Sequence, residues 1–246
     1  MVLLLRASVI PAAEVKVLAP GALRPVLTAL SGEFQRSAGH TFAAGYGSAG
    51  EITKRLSAGE AADVAIVPTG AIATLVKHDR IVAGTAVEIA LVKVAVAVRA
   101  GTSQVDISSA DALRRALLAA NSITYTDPAR GASAGVHFAT VLHRLGIEAA
   151  VKPKTRFASG GVAYVVAKGE ADIGITQMSE LVGIAGITVL GPLPGEFDHT
   201  SSFSAAVATA TSDSPAAQSL VDLLAHPATA KVLKIHGMER GELRAK

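Results

Sequence analysis

Arginine stands at positions 24 and 130, each within or beside a short run of glycine, alanine and serine. That pairing of residue types suits the capture of a small anion. A guanidinium offers its N–H donors in a planar fork that matches a carboxylate edge to edge. The start of a helix adds unpaired backbone N–H groups and a partial positive charge. Four segments have this context: "APGAL" at 19–23, "YGSAGE" at 46–51, "GASAGV" at 131–136 and "ASGGV" at 158–162. In each, a strand pattern ends, small residues follow and a helical pattern begins. Any one of them alone reads more readily as an ordinary cap and tight turn. Four in one chain shift the balance toward anion binding. The candidate contacts are Gly21 and Arg24 from the first loop, Ser48 and Gly50 from the second, and Arg130 and Ser133 around the third. Ser159, Gly160 and Gly161 come from the fourth. The arginines would neutralise carboxylates, the serines would donate hydroxyl bonds, and the glycines would let a ligand approach the backbone.

The second loop also spells G-x-G-x-x-G over 45–50. A dinucleotide site needs that pattern between a strand and a full crossover helix, with an acidic residue about 20 positions on at the end of the next strand. Here only a short helix fits before Ala58-Gly59, and Asp63 falls at the start of the next strand. The segment reads as a strand-to-helix anion loop, not a nucleotide fingerprint.

The elements that must hold these loops alternate between period-2 and period-3.6 patterns, which is an α/β signature. "EVKVLAP", "HTFAAGYG" and "DVAIV" read as strands, with helices at "ALRPVLTALSGEFQRSAG" and "EITKRLSAG" between them and another near "TGAIATLVKHDRI". Pro25 sits in a first helical turn, where a missing N–H does no harm. "AVEIALVKVAVAVRAG" is long for one strand and could pass from one sheet into another. "SSADALRRALLAAN" is a capped helix, "SITYTD" a strand and "SAGVHFATVLHRLGI" a helix. "TRFASGG" reads as loop, followed by a helix, a strand and another helix start. Two closing helices break at Pro227. The strand segment 92–98 and the turn at 191–195 are natural crossings. They divide the chain into one lobe of 14–91 plus 194–246 and a second of 92–193, with a cleft between.

A chain of 246 residues, half of them hydrophobic, can bury a good core. The net charge of +3 is small, and six Phe and three Tyr show no basic–aromatic interleaving, so nucleic acid is not an expected partner. No cysteine is present, which removes disulfides, thiolate metal sites and a cysteine nucleophile. The seven histidines show no metal spacing; His137 and His143 lie on different faces of a helix. No metal and no cofactor are expected. "MVLLLRASVIPAA" resembles the tail of a signal peptide cleaved after Ala13, but it lacks a basic n-region and Arg6 interrupts it. A shortened leader and a cytosolic N-terminus are both open readings.

The chain resembles the type II periplasmic solute-binding proteins, within them the molybdate-binding proteins of ABC importers. "YGSAGEITKRLSAGEAADVAIV", "YTDPARGASAGVHFATVLHRLGI", "VAKGEADIGITQMSE" and "LVDLLAHPATAKVLKIHGM" carry the likeness, from about 15 to 238. It implies a two-lobed α/β fold closing on an anion, a periplasmic location, a monomer and an importer complex as partner. The family holds its oxyanion with two loop serines and a late tyrosine. Those positions fall here on Ala22, on Ala49 with Ser48 beside it, and on Gln177. Loss of three donors argues against molybdate, since each unmade bond to a buried oxygen costs about 1–3 kcal/mol. Gln177 would serve instead as an amide donor. "GITQMSEL", "LGPLPGEF" and "TSSFSA" resemble a branch that includes the aconitate isomerases. The favoured expectation is reversible capture of a di- or tricarboxylate. A cofactor-free isomerase on the same ligand class is the second, and a molybdate or tungstate receptor the third. Glu51, Glu180 and His199 are the groups that could act as base in an isomerase, each with a plainer reading as cap, surface group or hinge contact.

Overall fold

The computed structural model describes residues 12–102, 105–158 and 161–241. The leader-like run at 1–11 and two of the anion-loop residues, Ser159 and Gly160, lie outside the described residues.

The chain begins with β1 (Glu14–Pro20), α1 (Arg24–Ala38), β2 (Thr41–Gly47), α2 (Ala49–Ser57), β3 (Val64–Pro68) and α3 (Ile72–Lys77). The long strand β4 (Val87–Arg99) follows. Next come α4 (Ala110–Ala119), β5 (Ile123–Thr126), α5 (Ser133–Arg144), α6 (Glu148–Val151), β6 (Thr155–Ala158), α7 (Val162–Ala167) and β7 (Ile173–Gln177). The return runs through β8 (Ile187–Pro192), β9 (Thr200–Val207), α8 (Ser214–Ala225), α9 (Thr229–Ile235) and β10 (Met238–Glu239). Several stretches depart from the sequence reading: α6, β8 and β10 have no counterpart in it, and the helix start expected after β7 is a single short turn. "TRFA", read as loop, is strand β6, because its register pairs it in parallel with β5. Arg156 and Phe157 are exposed on this edge, so no buried alternation advertises it.

Strand β1 lies between β2 and β3, parallel to both, and β5 lies likewise between β6 and β7. The long strand β4 joins the two arrangements. Its residues 87–93 pair with β9, and from Val94 onward it pairs with β7. The expected passage of this segment from one sheet to another is therefore what the pairing shows. Parallel strands with helices on both faces must be apolar throughout, and Val64, Ala65, Ile66 and Val67 are all fully buried. Each sheet has a core on either side. One sheet is covered by Leu27, Leu30 and Phe34 of α1 with Leu220 and Val221 of α8, and on its other face by Ile52 and Leu56 of α2. The second is covered by Leu113, Phe138 and Val141 on one face and by Ala163 of α7 on the other. The result is a two-lobed α/β molecule.

The two crossings meet at Val94. Its N–H donates to the His199 carbonyl and its own carbonyl accepts from the Leu193 N–H, both at 3.1 Å. His199 stacks on His137 of α5, with ring centroids 4.3 Å apart, and the His137 Nε2 lies 2.8 Å from the Phe197 carbonyl oxygen. Burial, together with the neighbouring His137 ring, holds the His199 imidazole below its usual range, against a smaller opposing pull from Asp198. A histidine depressed on folding takes up its proton more readily when unfolded. Stability is thus present at neutral pH and falls as pH drops through about 6.5, the unfolded value, toward the lower folded one. Thermal melts from pH 7.5 to 5 should show that decline in the natural chain and a flatter profile in His199→Gln.

Candidate functional site

Five parallel strands end at one cleft. Pro20 of β1, Gly47 of β2, Thr126 of β5, Ala158 of β6 and Gln177 of β7 all line it. The carboxyl ends of parallel strands are where α/β sheets hold ligands, because the following helices present their N-termini there. All four anion loops contribute: Gly21 and Ala22 before α1, Ser48 and Ala49 around the start of α2, Ser133 and Ala134 in α5, and Gly161 before α7. The cleft has a volume of about 890 Å³. That is ample for a small organic acid.

Of the candidate contacts, Gly21, Ala22, Arg24, Ser48, Ala49, Arg130, Ser133, Gly161 and Gln177 line this cleft. Arg24 is exposed within it, its guanidinium carbon 3.8 Å above the centre of the Tyr46 ring. No carboxylate lies within ion-pair distance of it among the described residues.

Four candidates make contacts within the protein that the sequence did not suggest. The Ser48 hydroxyl donates to the Arg130 carbonyl oxygen at 2.5 Å and accepts from the Glu51 N–H at 3.1 Å. It is a helix cap and an interlobe contact, already saturated as a donor. Gly50 is not part of the lining; its N–H donates to the Gly131 carbonyl oxygen at 2.9 Å. A Cβ on Gly50 would come within 2.7 Å of the Gly131 Cα, so glycine is needed here for backbone contact between lobes, not for ligand access. Arg130 spends its guanidinium on Glu51, with Nε 2.7 Å from Oε1. The amide nitrogen of Gln177, which lines the cleft, gives one of its two N–H bonds to Ser201 at 2.9 Å. Apart from Glu51, which the local Ser-x-x-Glu pattern pairs with Ser48, these partners come from distant parts of the chain.

Glu51 completes a capping box by accepting from the Ser48 N–H at 2.8 Å. That backbone bond, aided by the Arg130 pair, holds its carboxyl below the usual range, against a modest penalty from burial. It is a structural anion rather than a base. His199 sits at the crossing and is not among the cleft residues. Glu180 differs from both. It lines the cleft in the short turn after β7, half-buried, and its Oε2 accepts from the Thr176 hydroxyl at 2.5 Å. Burial pushes its carboxyl upward, opposed by the Thr176 bond, the Gln177 N–H and the charge of Arg24. Residues the sequence reading did not single out also line the space, among them Tyr46, Lys54, Asp127, Tyr164 and His236. Tyr46 stood inside the "YGSAGE" loop and could have been found there. His236 follows the last helix and carried no signal. Asp63, the residue tested as a ribose partner, instead accepts from the Lys16 N–H at 2.8 Å and the Thr211 hydroxyl at 2.7 Å, tying β1 to the loop before α8.

A two-lobed sheet pair joined by a double crossing, with helix starts converging on an interlobe cleft, defines the solute-binding class of protein. The chain belongs to the bacterial extracellular solute-binding protein family, whose description matches residues 15–239. It is 31% identical over 190 residues to an aconitate isomerase of a Pseudomonas species, covering 76% of this chain and 71% of that protein. The fold is similar to the periplasmic molybdate-binding protein of Azotobacter vinelandii, with a TM-score of 0.74, 19% identity, and 92% and 98% of the two chains covered. It is similar too to a sulfate-binding protein of Mycobacterium tuberculosis, with a TM-score of 0.76, 16% identity, and 94% and 88% covered. Among the described residues no helix is long and apolar enough to cross a membrane.

Proposed function

We propose that the protein reversibly captures a small organic anion, a di- or tricarboxylate, between lobes of 14–91 plus 194–246 and of 92–193. Arg24 carries this reading. Its guanidinium is exposed in the cleft, fixed over Tyr46, and beside the helix start at Gly21, with no protein carboxylate in ion-pair reach among the described residues. A guanidinium held open in a cleft is suited to accept a planar carboxylate edge-on. Ser133 and the α5 and α7 helix starts would take a second carboxylate from the other lobe. The ligand loads on one lobe and closure about the Val94 crossings brings up the other. A monomer in the periplasm, handing its ligand to an ABC importer, is the setting that accords with the family.

The relative that isomerises aconitate supports a second reading on the same ligand class, in which the bound acid is converted before release. A thermal-shift panel of citrate, cis- and trans-aconitate, malate, oxalate, molybdate, tungstate and sulfate tests the assignment. A true ligand at 100 times its dissociation constant adds about 2.7 kcal/mol, roughly 5–11 °C for a chain of this size. A shift with carboxylates is expected. A shift with molybdate, tungstate or sulfate alone would sink the carboxylate reading. Chromatography of the recovered acid then separates receptor from isomerase.

A further inference from the structure

Carboxylates in the wall of an anion-binding cleft oppose its ligand; Glu51, Asp127 and Glu180 stand in that wall, and burial pushes the Glu180 carboxyl upward. Resting on the reading of the cleft as a carboxylate site, we propose that Glu180 determines specificity by sharing one proton with a carboxyl group of the ligand. The protein therefore binds a carboxylic acid together with a proton and rejects anions that have none to share.

The geometry isolates one oxygen for this task. Oε2 is committed to the Thr176 hydroxyl at 2.5 Å. Oε1 faces the first anion loop, where a Cβ on Gly21 would lie 3.3 Å from it. Glycine at 21 thus leaves room beside Oε1, on the same side as Arg24. A carboxylate docked against Arg24 and the Gly21 turn meets Oε1 as its neighbour. Two ionised carboxylates that close repel strongly in a desolvated site; one proton between them turns repulsion into a charge-assisted hydrogen bond. Burial already biases Glu180 toward holding that proton.

Other charged groups around the cleft do not remove the need. Arg24 on α1 is the cation that acts on Glu180, and burial raises the Tyr46 hydroxyl on β2 so that it stays neutral. On α2, Glu51 is paired with Arg130 of the second lobe and Arg55 with Glu60, while Lys54 is exposed. Asp127 follows β5 and accepts from the Ala129 N–H at 2.9 Å. His236, after α9, also lines the cleft.

Calorimetry in buffers of different ionisation enthalpy, with citrate and cis-aconitate as probes, measures the proton directly. The natural chain should take up close to one proton at pH 7, and affinity should fall by up to about tenfold per pH unit as pH rises. Glu180→Gln keeps the shape and stays neutral. It should bind both probes without the uptake, and its affinity should follow the titration of the probe alone. His236→Gln should retain the uptake. Sulfate, which has no proton to share at this pH, should stabilise Glu180→Gln more than the natural chain. Tight citrate or cis-aconitate binding with no proton taken up overturns the proposal, as does an uptake that survives in Glu180→Gln or is lost in His236→Gln. Failure of both probes to bind either protein overturns the carboxylate reading itself, and this proposal with it.

Discussion

Gly50→Val should lower ligand affinity at least about 100-fold while each lobe stays folded. The side chain would enter backbone, not a yielding side chain: its Cβ would lie 2.7 Å from the Gly131 Cα, 2.9 Å from the Arg130 carbonyl oxygen and 3.1 Å from the Gly131 carbonyl oxygen. Those atoms belong to the turn after β5, across the cleft from α2. Neither partner can step aside, because Asp127 caps that turn by accepting from the Ala129 N–H and Ser48 caps α2. The lobes must then stay apart. Separation breaks the Gly50–Gly131 and Ser48–Arg130 bonds and keeps Ser133 and the other second-lobe donors from a ligand held at Arg24. Two lost donor contacts at about 1–3 kcal/mol each give a penalty of about 2–6 kcal/mol, and 2.7 kcal/mol is already about 100-fold. Helix propensity acts the other way, since glycine early in α2 is a poor helix former, so the melting temperature of the ligand-free protein should change little. Small-angle scattering with and without citrate checks the geometry. The natural chain should contract; a Gly50→Val protein that contracts equally would show that this contact does not gate closure.

The same pair of glycines shows how far the sequence could be read. "YGSAGE" and "GASAGV" were legible as strand-to-helix loops because a small-residue run between a period-2 and a period-3.6 pattern has few other uses. That placed Gly21, Arg24, Ser48, Ser133 and Gly161 at the loops that converge on one cleft, and the length of β4 announced the passage between sheets. Local patterns cannot report what a side chain meets from 80 residues away. Ser48 and Arg130 looked like free donors, yet the fold closes them on each other and on Glu51. Gln177 looked like a substitute for a ligand-binding tyrosine, and its bond to Ser201, 24 residues on, could not be read locally. Glu180 was legible as one of three groups that could act as base, beside Glu51 and His199. What sets it apart is the burial that β7 and the first loop impose, a property of tertiary placement. Strand β6 was missed for the opposite reason, since its exposed edge carries no apolar alternation.

Removing the guanidinium at 24 should be the most damaging change that leaves the lobes and their contacts intact. Arg24→Met keeps an unbranched side chain over Tyr46 and removes only the charge and its donors. Because Arg24 is exposed and has no ion-pair partner among the described residues, stability of the ligand-free protein should stay within about 0.5 kcal/mol. A charge-assisted bond to a ligand carboxylate is worth about 1.5–3 kcal/mol, so citrate affinity should fall by about 10- to 150-fold. Arg24→Lys should recover part of that loss, because an ammonium restores charge without the planar fork. The change also reaches Glu180. Arg24 is the cation that pulls the Glu180 carboxyl down against burial, so its removal should raise that group further. Whatever citrate affinity survives in Arg24→Met should persist to higher pH than in the natural chain. Equal losses in the methionine and lysine variants, with no displacement of the pH profile, would mean that Arg24 shapes the cleft through its contact with Tyr46 and touches no anion.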